Sequence, residues 1–118
     1  MIRTAFVILL LAAPAWAQST DHSAHGGQVA APDAAPSTKE FMAANDRMHT
    51  GMAIEYTGNA DADFIRGMIP HHEGAVEMAR IVLEHGADAQ VRELAQAVIA
   101  AQEAEIAWMK EWLAKNGK

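Results

Sequence analysis

The sequence predicts an all-α protein, an antiparallel bundle of three to four helices in a single domain. Apolar residues recur at helical spacing, most cleanly in Val91, Leu94, Ala95, Val98, Ile99, Ile106, Met109 and Leu113. Helix starts and stops punctuate the chain, and no run shows the two-residue alternation of a strand.

Residues 1–17 are expected to be a signal peptide: Arg3 is followed by an apolar stretch, Ala5 to Ala13, and by the small-x-small pattern Ala15-Trp16-Ala17. That stretch is shorter than the roughly 20 apolar residues of a membrane span. A soluble protein beginning near Gln18 and exported to the periplasm is the expectation. Residues 18–36 are polar, Ala-rich and interrupted by Gly26, Gly27, Pro32 and Pro36, which predicts a flexible leader carrying His22 and His25. The helical domain is placed at 37–118.

Ser37 with Glu40 forms a capping-box pattern that opens a first helix running to about Tyr56. Thr57-Gly58-Asn59 breaks it, and Asp61 is the expected cap of a second helix that ends at His85 before Gly86. Inside that helix Pro70 predicts a kink, or a short helix followed by a fresh start, with Gly67 and Gly74 adding pliability. Asp88 caps a third helix, which runs to about Lys115.

The charge balance narrows the partners. Lys and Arg number 9 against 15 Asp and Glu, and loss of Arg3 with the signal leaves 8 against 15. Such a surface disfavours nucleic acid and anionic membranes and suits cations. The cysteine count is 0, so neither disulfides nor thiolate ligands are available. A thioether ligand has an advantage in an oxidising compartment, because it cannot be drawn into a disulfide.

Three clusters carry the chemistry: Met48-His49 with Met52, Met68 with His71-His72, and Met78 with His85. His71, Met78 and His85 are a heptad apart and line one helical stripe. Pairing consecutive helices as antiparallel neighbours about Asn59 sets Met48 level with Pro70 and Met52 level with Arg66. Pairing about Ala87 sets His71 level with Glu103 and Met68 level with Ile106, so that Gln102, Glu105 and Met109 lie close. All three helices are thus expected to deliver soft or polar side chains to one layer. Thioether and neutral imidazole donors favour copper(I), with silver(I) or copper(II) as neighbouring choices, whereas magnesium and calcium require oxygen and zinc has no special use for methionine. Gln102 or Glu105 is placed to accept the second ring N–H of a ligating histidine. Methionine at helical spacing is also ordinary core filler, and a histidine on an apolar helix face is often a satisfied packing residue.

Enzyme templates fit poorly. Val76 stands where the second histidine of a His-Glu-x-x-His protease would be, and no Glu has a His three residues later as in carboxylate-bridged di-iron bundles. No cysteine nucleophile, Gly-x-Ser-x-Gly elbow or phosphate-binding glycine loop is present.

The run Phe64-Ile65-Arg66-Gly67-Met68-Ile69-Pro70-His71-His72-Glu73-Gly74-Ala75, continuing through Met78-Ala79-Arg80, closely resembles the signature of the domain of unknown function 305 family. Met48-His49-Thr50-Gly51-Met52 and Tyr56-Thr57-Gly58 resemble the version found in exported bacterial members. The resemblance implies a ferritin-like bundle, periplasmic copper binding and copper tolerance. By position it implies Met68, His71, His72, Met78 and His85 as metal ligands, with Met48, His49, Met52 and Met109 also fitting. Glu73 departs from the Gln common in relatives. A single short copy implies that a complete four-helix bundle needs a second chain.

The expected function is therefore non-catalytic: a periplasmic copper(I) protein that buffers or carries the ion, as a homodimer or with a delivery partner. The alternatives from other classes are a structural module built for dimerisation and a redox enzyme on a ferritin-like bundle.

Overall fold

The structure, a computed structural model, describes residues 30–117. The signal peptide expected at 1–17 and the His22 and His25 tract lie outside the described residues. Three helices follow in order, α1 (Pro36–Met52), α2 (Ala60–His85) and α3 (Ala89–Asn116), with no strand among the described residues. None of these helices is long and apolar enough to cross a membrane.

Helix α1 does not use the capping box. Its N-cap is Ala35, which makes no side-chain cap, and Pro36 occupies the first turn. Proline has the right φ and no N–H to leave unpaired there, so Ser37 falls inside the helix. Glu40 extends instead to His85, its Oε2 lying 3.0 Å from Nε2. The helix also stops at Met52, four residues before Tyr56. The connection beyond it is organised by Asp63, whose carboxylate accepts the Thr57 N–H at 2.9 Å, the Thr57 hydroxyl at 2.8 Å and the Gly58 N–H at 3.1 Å. Gly58 sits at φ +84, which glycine adopts without strain. Asn59, rather than Asp61, caps α2: its side-chain oxygen accepts from the N–H groups of Asp61 and Ala62.

Helix α2 runs unbroken through Pro70, so the fresh start does not occur. Proline disturbs one turn only, and this turn is supported from outside by α1. A Cβ on Gly51 would stand 2.7 Å from Pro70 Cβ, and one on Gly74 would stand 2.8 Å from Met48 Sδ. Gly74 is thus a contact glycine that seats a side chain of α1, not a source of pliability. Helix α3 is capped by Asp88, which accepts the Val91 N–H at 2.9 Å, and it ends one residue past the predicted limit.

Helices α1 and α3 each pack antiparallel on α2 and make no contact with one another among the described residues. Gly74 faces α1, whereas Val76, about 200° round the helix, belongs to the buried side facing α3. The result is a single layer with α2 as its spine. Its core is thin: Ala44, Ala62, Ile65, Val76, Ala79, Ile81, Ala95 and Met109 are buried, and none of the large side chains is wholly so.

The predicted register is displaced along both seams. Met48 meets Gly74 rather than Pro70, and Gly51 meets Pro70. Across the other seam His72 meets Glu105, and Glu103 pairs with Arg80 rather than lying level with His71. Two effects explain the shift. Side chains lean toward the N-terminus of their own helix, so both members of an antiparallel contact lie further along the chain than level pairing predicts. Residues 53–59 also run non-helically beside the first turns of α2, covering more length per residue than a continued α1 would.

Candidate metal centre

The ion pairs orient the layer. Arg47 of α1 pairs with Glu77, Lys110 of α3 with Glu73 at 2.7 Å, and Glu103 of α3 with Arg80 at 2.8 Å. These contacts bridge both seams and mark one side of the layer. At 100° per residue, Met52 lies about 140° round α1 from Arg47, Phe64 and His71 about 160–180° round α2 from Glu73, and Leu94 about 180° round α3 from Glu103. They occupy the other side. One open face of α2 is therefore charged, and the opposite one is a strip of Phe64, Met68, His71, Ala75, Met78 and Val82 with no charged side chain.

The nine candidate ligands divide into three groups on this frame. Met48, Met52, Met68, His71 and Met78 lie on or beside the uncharged face, with His49 near its outer edge. Met48 is half-buried against Gly74, Met68 is half-buried, and His49, Met52, His71 and Met78 are exposed. His72 and Met109 lie in the seam between α2 and α3. His85 stands at the far end of α2 with Glu40 and Glu84, ligand atoms of all three falling within 4.8 Å of one another. Met68 and His85 are seventeen positions apart on one helix, roughly 25 Å, so the nine cannot share one ion. The nine candidates thus fall on a face, in a seam and at an end.

The seam has the most specific geometry. The His72 side chain is 11% exposed and its Nε2 lies 2.7 Å from Glu105 Oε2. Its Nδ1 is buried and has no partner among the described residues, and neither has the buried Oε1 of Gln102. A buried polar atom without a partner is costly. If Glu105 accepts the Nε2 proton, Nδ1 carries the free lone pair, which is the tautomer a carboxylate imposes on a metal-binding imidazole. Met68 is one turn before His72 on α2 and Met109 one turn beyond Glu105 on α3, so two thioethers border the same seam. The His71 ring lies edge-on to that of His72, with centroids 5.9 Å apart. The expectation that Glu105 would meet a histidine ring holds; its partner is His72.

Glu40 and Glu84 were not legible as site residues. Glu40 reads locally as a cap, and its approach to His85 joins positions 45 apart in the chain. Only the antiparallel seam brings them together. Two carboxylates and one imidazole, all solvent-accessible, suit a harder or borderline cation better than copper(I).

The family model described as Domain of unknown function (DUF305) matches residues 11–113. No curated protein matches the chain.

Proposed function

The chain belongs to the DUF305 family, whose description carries no activity, and from its own residues we propose an exported, periplasmic copper(I)-binding protein that buffers or carries the ion without catalytic turnover. The observation that carries this reading is His72, an imidazole 11% exposed whose Nε2 is held by Glu105 while its buried Nδ1 has no partner among the described residues. Soft sulfur donors on both sides of that seam, Met68 and Met109, fit a soft monovalent ion. The net formal charge of −6 favours cations generally and does not discriminate among them. Copper is cargo in this proposal, and the protein's task is to present one oriented nitrogen and thioethers at a site shielded from water.

The test is titration of the metal-free protein with copper(I) against a competing chelator. Joint substitution Met68→Leu and His72→Leu is expected to weaken binding at least about tenfold, and Glu105→Gln by roughly 10-fold or less, as befits a residue that orients a ligand. Copper(I) is also expected to raise the melting temperature, since a ligand that binds only the folded state must stabilise it. Unaltered affinity in the Met68→Leu, His72→Leu protein overturns the proposal.

A further inference from the structure

Five exposed large apolar side chains, Met52, Phe64, Met78, Leu94 and Trp108, lie on the side of the layer opposite its ion pairs. Phe64 and Leu94 are each 63% exposed and Trp108 is 58% exposed. Scattered apolar residues on a surface are unremarkable, but a contiguous patch rimmed by polar groups marks an interface. We propose that this face is closed by a second copy of the chain, in a two-fold dimer whose α2 helices pack antiparallel across Ala75.

Size, chemistry and symmetry all favour a second copy. Helix α2 is about 39 Å long at its 26 residues, and helices pack about 8–10 Å apart. The soft face of three adjacent helices is therefore on the order of 800 Å², which is the area each partner contributes to a stable interface. The α2 strip from Phe64 to Val82 has no charged side chain, so it offers nothing to nucleic acid or to a charged peptide. Glu105, about 20° round α3 from Leu94, lies on this face, where its carboxylate is engaged by His72. An uncharged strip can face its own copy without repulsion, as an isologous interface requires.

Ala75 fixes the axis. It is the small residue midway between Phe64 and His85, with His71 and Met78 on either side. An antiparallel pair of α2 helices crossing at Ala75 sets His71 of one copy opposite Met78 of the other. This last step rests on the copper reading only in giving those donors a use; the interface itself does not require metal.

The test uses the purified protein in the presence of a metal chelator, so that it is independent of copper binding. Sedimentation equilibrium is expected to show a concentration-dependent monomer–dimer equilibrium. Leu94→Glu and, separately, Phe64→Glu should give monomers with unchanged helical circular dichroism, because both side chains are exposed in the single chain. The chain lacks cysteine, so Ala75→Cys should cross-link into disulfide-linked pairs on mild oxidation, the Cα separation across close-packed helices falling within disulfide reach. Arg80→Cys, on the charged face, should not. A protein that stays monomeric across a wide concentration range overturns the proposal, as does cross-linking of Arg80→Cys as readily as Ala75→Cys. Coverage of the face by another segment of the same chain would give the first of these results.

Discussion

The two open faces of α2 differ in how they meet their surroundings. On one, Glu73, Glu77 and Arg80 reach sideways to clasp α1 and α3, and water completes their solvation. On the other, Phe64, Met68, His71, Ala75, Met78 and Val82 offer thioether, imidazole and hydrocarbon, for which water is a poor partner. A helix flanked on two sides only has two faces left over, and here the sequence has treated them oppositely. The lesson is that a solvated face needs no further partner, whereas the soft face is the one on which the proposed metal and second chain would act.

If that contrast is right, the monomer is held by its seams and by neither open face, and substitutions should rank accordingly. The largest effect is expected at Met109, 4% exposed on the inward side of α3: Met109→Ala should lower stability by about 2–5 kcal/mol in urea unfolding. A loss below about 1 kcal/mol would mean that α3 is anchored elsewhere. Next comes Gly74→Val, which drives a side chain into the space of Met48 and should cost about 1–3 kcal/mol despite the better helix propensity of valine. A neutral result would show that α1 can shift without penalty.

Asp63→Asn probes the connection between α1 and α2. The backbone N–H of Thr57 holds the Asp63 carboxyl below its ordinary value of 3.8, helped by the Thr57 hydroxyl, the Gly58 N–H and Arg66. A carboxyl more acidic in the folded state contributes stability that is complete above its unfolded pKa and disappears as pH falls through the folded one. The variant should therefore melt a few degrees lower at neutral pH, with the gap closing below the ordinary carboxylate range. A gap independent of pH would remove the charge as its cause. The smallest effect belongs to the charged face: Glu73→Gln, at an exposed pair with Lys110, should cost no more than about 1 kcal/mol and less at high salt. A larger loss would erase the contrast between seams and solvated face.

Much of this architecture was legible locally. The three helices, the Asp88 cap and the end of α2 at His85 follow from capping signals and helical period, although Gly86 closes α2 in extended backbone at φ −78 rather than as a left-handed cap. The errors share a cause, which is that competing local signals are settled by tertiary contact. Ser37 and Glu40 matched a capping box, but Pro36 took the first turn and Glu40 was drawn to His85. Asp61 was the expected cap of α2, but Asp63 accepts from Thr57 and Gly58 in the connection and Asn59 takes the cap. Met and His content pointed to candidate donors. It could not sort them into face, seam and end, because that sorting depends on register, and register depends on the lean of side chains and the path of residues 53–59.

The lack of contact between α1 and α3 makes the two outer helices thermodynamic strangers in a lone chain. Damage to either should be felt through α2 alone, so paired substitutions in them ought to sum nearly independently. Association through the soft face would end that independence, since the second molecule would lie against both. Dimerisation would then do what a fourth helix does in a closed bundle: turn three loosely affiliated segments into one cooperative unit.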